Sequence, residues 1–253
     1  IDAVAPDTVN PALWRQNKVL RAEGLFRLAP GLYQVRNFDN SNVTFVETPK
    51  GWIVIDPLTV EDVARAAFEL LKRHVADKPV LAFYQFGYFL PRGPKGHVGM
   101  GMGVAIAAGK QGFIPPTLEI EQTKQSVTID GVELVFQMTP GAEAPTEFNI
   151  WIPSLKALCL AETATSTLHN VQTLRGAKVR DAKAWADYLT EALREWGGQA
   201  ELSFASHHWP RFGNEAVRTH IANQRDAYKF IHDQAVRRMN MGQVPTEIAE
   251  GLK

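Results

Sequence analysis

Segments typical of β-strands occur in two groups along this chain, and helical segments follow each group. In the first group, apolar and β-branched runs separated by turn residues indicate strands at 32–35, 42–46 and 52–55. A helix over about 59–75 and a buried strand at 79–83 come next. The second group indicates strands at 127–129, 132–136, 149–152, 157–160 and 201–206, with amphipathic helices before and after the last. This order predicts an α/β fold, in which two sheets pack face to face with helices outside.

Three polar residues are predicted to cap these helices at their N-termini. Thr59 precedes the first helix, Asp181 the second, and Asn214 the third, which runs to about Met239. Between the strands at 127–129 and 132–136, the Asp130-Gly131 pair predicts a tight hairpin.

Composition excludes several classes of protein. The 253 residues suffice for one large domain or two small ones. Lys plus Arg and Asp plus Glu both number 27, so no net charge favours nucleic acid or an anionic membrane. The longest uncharged apolar stretch, residues 98–109, is too short and too rich in glycine to be a transmembrane segment. The single cysteine, Cys159, excludes an internal disulfide and is predicted to be buried. Because the chain opens on Ile1, we expect a processed or trimmed N-terminus without a signal peptide.

Two glutamates and a histidine are candidates for metal ligands, because each follows a predicted strand. Glu143 comes after a Thr-Pro-Gly turn, Glu162 lies 19 residues later, and His207 follows the strand at 201–206. A strand, a hairpin and a return strand would bring both carboxylates to one sheet edge. Carboxylate oxygens and imidazole nitrogens are zinc ligands. Spacing alone also allows two surface carboxylates and a hydrogen-bonded core histidine.

Longer motifs reveal a resemblance. The run Trp52-Ile53-Val54-Ile55-Asp56-Pro57 before a helix, and a Thr-Pro-Gly turn before a candidate ligand, resemble the metallo-β-lactamase fold. More narrowly, the chain resembles the alkylsulfatases of that superfamily in residues 10–16, 139–147, 167–170, 174–181 and 207–210. The resemblance implies an αββα sandwich of two packed sheets with outer helices.

The same resemblance implies a function and a site. Alkylsulfatases hydrolyse alkyl sulfate esters such as dodecyl sulfate at a binuclear zinc centre. In this chain Glu143 takes the place that other superfamily members give to a histidine, and Glu162 takes the bridging place. His207 completes one metal site, and Arg175 is expected to hold the sulfate group. The small-molecule substrate is therefore expected to be an alkyl sulfate.

Three further residues have two interpretations each. Asp56 is either a carboxylate that orients a metal ligand or a turn residue before Pro57. His169 and His208 are either candidates for proton transfer or buried structural histidines, and the structural interpretation is favoured for both.

The chain departs from the family at one internal position. The superfamily's H-x-H-x-D-H run should follow the strand at 79–83, but Phe83 leads directly into Tyr84 and no His-x-His pair occurs anywhere. We therefore expect a partly truncated catalytic domain over 1–240, with a deletion near 83–86. The alternatives are a true deletion and a segment missing from the sequence. We favour the second, because the flanking motifs are kept.

The remaining expectations concern assembly, location and a rival function. Residues 241–253 are expected to begin a truncated C-terminal dimerisation region, which implies a homodimer. Exported relatives imply a periplasmic or secreted protein. The rival to an active alkylsulfatase is a catalytically silent module that binds amphiphiles or a partner. A third hypothesis, a hydrolase of lactams, thioesters or phosphoesters, is disfavoured by the glutamate at position 143.

Overall fold

The computed structural model describes residues 9–82, 118–173 and 178–252, together with residues 4, 5 and 109. A short helix, α1 (Pro11–Leu20), precedes a five-stranded sheet in the order β1-β2-β3-β4-β5. Its strands are β1 (Gly24–Ala29), β2 (Leu32–Arg36), β3 (Val43–Glu47), β4 (Trp52–Ile55) and β5 (Val80–Ala82). The first four are antiparallel, whereas β5 pairs parallel with β4 after a crossover through α2 (Glu61–His74).

The second sheet has six strands in the order β11-β10-β9-β8-β7-β6. Its strands are β6 (Ser126–Ile129), β7 (Val132–Met138), β8 (Phe148–Ile152), β9 (Ala157–Cys159), β10 (Leu202–Phe204) and β11 (Arg211–Phe212). A 3-10 turn, Pro153–Leu155, joins β8 to β9. Helix α3 (Ala182–Trp196) precedes β10, and helices α4 (Asn214–Asn240) and α5 (Pro245–Gly251) follow β11. Because β8 runs antiparallel to both β7 and β9, and β10 runs parallel to β9, the ends of β7, β9 and β10 lie at one edge.

Alternating side chains build the core between the two sheets. Every second residue of β7 to β10 points inward, and these residues meet the inward residues of β1 to β4. The second sheet contributes Leu134, Phe136, Ile150, Ile152, Ala157, Cys159, Leu202 and Phe204. Cys159 is a free, buried thiol, as its apolar neighbours predicted.

The intervening residues of the strands face the outer helices. On the first sheet, Phe45, Trp52 and Val54 pack against Ala67 and Leu71 of α2. On the second sheet, the outward residues Trp151 and Leu158 pack against two helices. Trp185 and Leu189 of α3 and Val217, Ile221 and Tyr228 of α4 belong to the same cluster. The predicted α/β sandwich, with two facing sheets and helices outside, is therefore confirmed. Among the described helices, none has the length and apolar character that crossing a bilayer requires.

Some local predictions were wrong. Helix α2 has Val60, not Thr59, at its N-cap, because the backbone N–H and the hydroxyl of Thr59 both donate to Asp39. Helix α4 is capped by Gly213, and the side chain of Asn214 donates instead to the carbonyls of Gly197 and Ala200. In both cases the side chain that would have capped the helix makes a tertiary hydrogen bond instead.

The N-cap of α3 was predicted correctly and is testable. Asp181 Oδ1 accepts a hydrogen bond of 2.9 Å from the backbone N–H of Ala184. We expect Asp181→Ala to lower the free energy of unfolding by about 1 kcal/mol in urea denaturation, since one N–H of the first turn loses its partner. Asp187→Ala, which removes only an exposed ion pair with Lys183 in the same helix, is the matched control. If the two variants lose the same free energy of unfolding, the Asp181 cap contributes no more than an exposed ion pair.

Candidate metal centre

The second sheet brings three candidate ligands to one edge. Glu143 lies in the loop after β7, Glu162 follows β9, and His207 follows β10. These strands run in the same direction, so their ends converge as the strand, hairpin and return strand predicted. The first sheet closes the site from the other side, with Asn40 in the loop before β3 and Asp56 at the end of β4.

Glu162 lies between two histidines. Its Oε2 is 3.0 Å from Nε2 of His169, and its Oε1 is 3.3 Å from Nε2 of His207. On each ring the other nitrogen faces a carbonyl oxygen: Nδ1 of His169 lies 3.1 Å from the Asn170 oxygen, and Nδ1 of His207 lies 3.0 Å from the Asn40 oxygen. A carbonyl only accepts, so Nδ1 carries the proton and Nε2 is directed at Glu162. This arrangement is typical of histidines that ligate metals.

The compact donor cluster differs from the predicted one. Glu143, Glu162 and His169 offer ligand atoms that all lie within 4.8 Å of one another. His207 is not in this cluster, but its Nε2 lies 3.3 Å from the other oxygen of Glu162, Oε1. His169, for which a structural role was favoured, is therefore the histidine that the structure brings beside both glutamates. This position was hard to predict, because His169 lies in the irregular loop between β9 and α3, which has no periodicity.

Arg180 is a site residue that the sequence did not indicate. Its Nη2 pairs with Oε1 of Glu143, and its Nε donates to the Glu143 carbonyl at 2.6 Å. Its Nη1 donates to the carbonyl of Asn170 at 2.9 Å. The guanidinium therefore joins the two loops that carry Glu143 and His169. Arg175, the residue expected to hold sulfate, falls outside the described residues.

Asp56 and His208 each had two interpretations, and their contacts in the structure bear on both residues. Nδ1 of His207 is bound by Asn40, so Asp56 does not orient this ring through that nitrogen. Asp56 is buried, and its Oδ1 has no hydrogen-bond partner among the described residues. His208 faces away from the glutamates, with Nδ1 2.7 Å from Gln16 Nε2 and Nε2 3.2 Å from Thr167 Oγ1. Burial lowers the pKa of His208 to about 3, which agrees with a neutral structural histidine.

Three residues at this edge have left-handed backbones although none is glycine. The φ angles are 54° at Asp56, 45° at Ala161 and 67° at His208. Ala161 directly precedes Glu162, and His208 directly follows His207. Each such conformation costs on the order of 1–3 kcal/mol and persists only where the surroundings enforce it.

Several acidic side chains lie close together at this site, and their pKa values are shifted. Burial raises the pKa of Asp56 to about 7 and that of Glu147 to about 8, and neighbouring carboxylates add to both shifts. Burial works against the charged form of Glu162 as well, but the two histidines hold its pKa well below the usual range. Burial would lower the pKa of His207, yet Glu162 and Asp56 raise it to about 9. Carboxylate oxygens and imidazole nitrogens grouped in this way suit a divalent cation.

The curated proteins to which this chain is similar are alkylsulfatases. No protein-family model matches the chain. A linear primary-alkylsulfatase from Pseudomonas sp. is 38% identical over 304 residues, which cover 98% of this chain and 45% of that protein. The chain thus spans about half the length of the curated relatives it matches. The aligned stretch exceeds the 253 residues of the chain, so at least 51 aligned positions have no residue here.

Comparison with solved structures agrees with the comparison of sequences. A stereoselective inverting sec-alkylsulfatase from Pseudomonas sp. has a TM-score of 0.92 at 35% identity, over 98% of this chain and 48% of that one. A metallo-β-lactamase from Pontibacter korlensis has a TM-score of 0.54 at 12% identity, over 81% of this chain and 99% of that one, and so shares the fold. Over almost its whole length, this chain is a homologue of the alkylsulfatases, built on the metallo-β-lactamase fold.

Proposed function

We propose that the protein hydrolyses alkyl sulfate esters to alcohol and sulfate, at a zinc centre to which this chain contributes Glu143, Glu162 and His207. One observation carries the proposal. In a homologue of the alkylsulfatases, both oxygens of Glu162 face an imidazole Nε2, and Glu143 lies beside one of them.

The donor geometry supports the assignment of Glu162 as a bridging ligand. Its two oxygens contact different histidines, Oε2 His169 and Oε1 His207, and Glu143 lies close to Glu162 and His169. A carboxylate in this position can offer one oxygen to each of two ions. Zinc bound there would acidify a water molecule and stabilise the negative charge that develops on the ester.

The protein's own residues have distinct tasks in this proposal. Arg180 fixes the carboxylate of Glu143, and the Asn40 carbonyl fixes the His207 ring. Arg175 is proposed to hold the sulfate, since the planar fork of a guanidinium matches paired oxygens. His169 is the second histidine within reach of the glutamates.

The described residues offer donors for one ion, and a second ion requires further ligands. We propose that the H-x-H-x-D-H segment is missing from the catalytic domain over 1–240, near 83–86. Support comes from the aligned positions at which this chain has no residue, which number at least 51.

Assembly and location belong to the same proposal. After Tyr228, no residue of α4 is buried, and Phe230, Val236 and Met239 are exposed. These apolar side chains support a homodimer contact near the start of the proposed dimerisation region, 241–253. A periplasmic or secreted location is proposed from the family resemblance alone.

Intact mass, zinc content and sulfate release from dodecyl sulfate test the proposed function together. We expect a protein heavier than 28.1 kDa to hold zinc and release sulfate, and to lose this activity with a chelator and recover it with zinc. A protein of 28.1 kDa that binds dodecyl sulfate without turnover would instead favour the silent module, which the lack of a His-x-His pair already supports. Zinc-independent turnover would contradict the metal centre.

A further inference from the structure

Glu147 is a buried carboxylate at the end of the 139–147 motif, and the proposed ligand set does not use it. It is 6% exposed and lies directly before β8. Its backbone oxygen accepts a hydrogen bond of 2.9 Å from the N–H of Thr139, which closes the loop that carries Glu143. The side chain therefore projects from the base of this loop.

The two oxygens of Glu147 bind two different loops. Oε1 accepts a hydrogen bond of 2.8 Å from the backbone N–H of Glu162, and Oε2 accepts one of 3.2 Å from the backbone N–H of Glu143. Both partners are backbone groups of the proposed metal ligands. One side chain thus fixes both carboxylate-bearing residues.

Sheet topology explains why such a contact is needed. Glu143 follows β7 and Glu162 follows β9, and these strands are separated by β8. The loops therefore leave the sheet about 10 Å apart, two strand spacings. Since β8 runs antiparallel to both neighbours, its first residues lie between the ends of β7 and β9. A side chain at position 147 can reach both loops.

The chemistry requires a carboxylate. Glutamate has two acceptor oxygens, whereas glutamine of the same size has one oxygen and an NH₂ group that cannot accept from a backbone N–H. A carboxylate buried close to two others is unfavourable for folding alone. The presence of Glu147 here is explained if it positions the ligands of the metal centre.

We propose that Glu147 is a positioning residue that sets the separation of the Glu143 and Glu162 carboxylates, and thereby the affinity of the centre for a divalent metal ion. This inference rests on the proposed metal centre. Glu147 acts through the backbone of the ligands and does not touch the ion.

The test is a zinc titration of the metal-free protein, with Glu147→Gln compared with the wild type. We expect the variant to bind zinc about 10–100-fold more weakly, as when other supporting partners of metal ligands are removed. Its thermal midpoint without metal should fall modestly, because one backbone N–H loses its acceptor, so the zinc affinity is the measurement that decides. A purely structural role would lower that midpoint and leave zinc affinity unchanged. Glu133→Gln, at an exposed position of β7, is the matched control.

Each outcome has a definite meaning. A loss of affinity smaller than about fivefold overturns the positioning role, because it falls below the range for supporting partners. If Glu147→Gln does not fold, Glu147→Asp, which keeps both oxygens at a shorter reach, is judged by the same threshold. If neither folds, the role is structural and the inference fails. If the wild type itself binds no zinc, the metal centre fails, and this inference fails with it.

Discussion

Replacing Glu162 by glutamine is expected to lower dodecyl sulfate hydrolysis by about a thousandfold or more, equivalent to about 4 kcal/mol in the activation barrier. The carboxylate lies 3.0 Å from His169 and 3.3 Å from His207, so in the described part of the chain it is the one carboxylate that contacts both histidines. Glutamine removes the negative charge and replaces one of the two oxygens by an NH₂ group, which cannot ligate a cation.

Initial rates of sulfate release and the zinc content of the purified protein measure this effect. The Glu162→Gln variant should also hold less zinc than the wild type, because a bridging donor is lost. Glu201→Gln, at an exposed position just before β10, should match the wild type in both measurements. A Glu162→Gln variant that keeps a tenth of the activity, or more, would contradict the role of Glu162.

The substitution Trp185→Ala is expected to have the largest effect on stability, about 3–5 kcal/mol in the free energy of unfolding. Trp185 is fully buried, its ring stacks on Tyr228 with centroids 4.2 Å apart, and its Nε1–H donates to the Thr163 carbonyl at 2.8 Å. The indole thus ties α3 to α4 and to the residue after Glu162. Alanine would leave a cavity and an unpaired carbonyl.

Urea denaturation of the metal-free protein measures the loss, so that zinc binding does not contribute. Phe212→Ala, at a residue that is 57% exposed, is the control for removing an aromatic ring, and we expect a change within about 0.5 kcal/mol. A loss below about 1.5 kcal/mol for Trp185→Ala would show that the surrounding helices close the cavity.

The periodicity of apolar residues predicted most of the strands and helices, because it indicates which side chains are buried. Alternation in β7 to β10 and the apolar face of α3 matched the observed core, and the Asp130-Gly131 turn formed the expected hairpin. Strand β1 was missed. Its residues, Gly24–Ala29, are mostly half-buried and lack clear alternation, so edge pairing with β2 creates a strand that the sequence signals weakly.

The site was predictable only in part. The ends of three strands indicated Glu143, Glu162 and His207, since residues at strand ends converge at a sheet edge. The supporting contacts of Asn40, Glu147 and Arg180 depend on how loops from both sheets meet, and no local pattern encodes this. For example, residues 39–41 between β2 and β3 are buried, and the carbonyl of Asn40 binds His207 from the first sheet.

The left-handed residues at the sheet edge have a consequence for the protein's engineering and evolution. Ala161 adopts a φ of 45° next to Glu162, a conformation that glycine would adopt without strain. Selection for heat resistance alone would therefore favour glycine at this position. The same change would give the peptide that carries Glu162 more freedom to rotate. A screen for more heat-stable variants should therefore also measure how well each variant retains metal. A substitution that relieves the strained backbone at Ala161 would raise stability but would also loosen the peptide that positions Glu162.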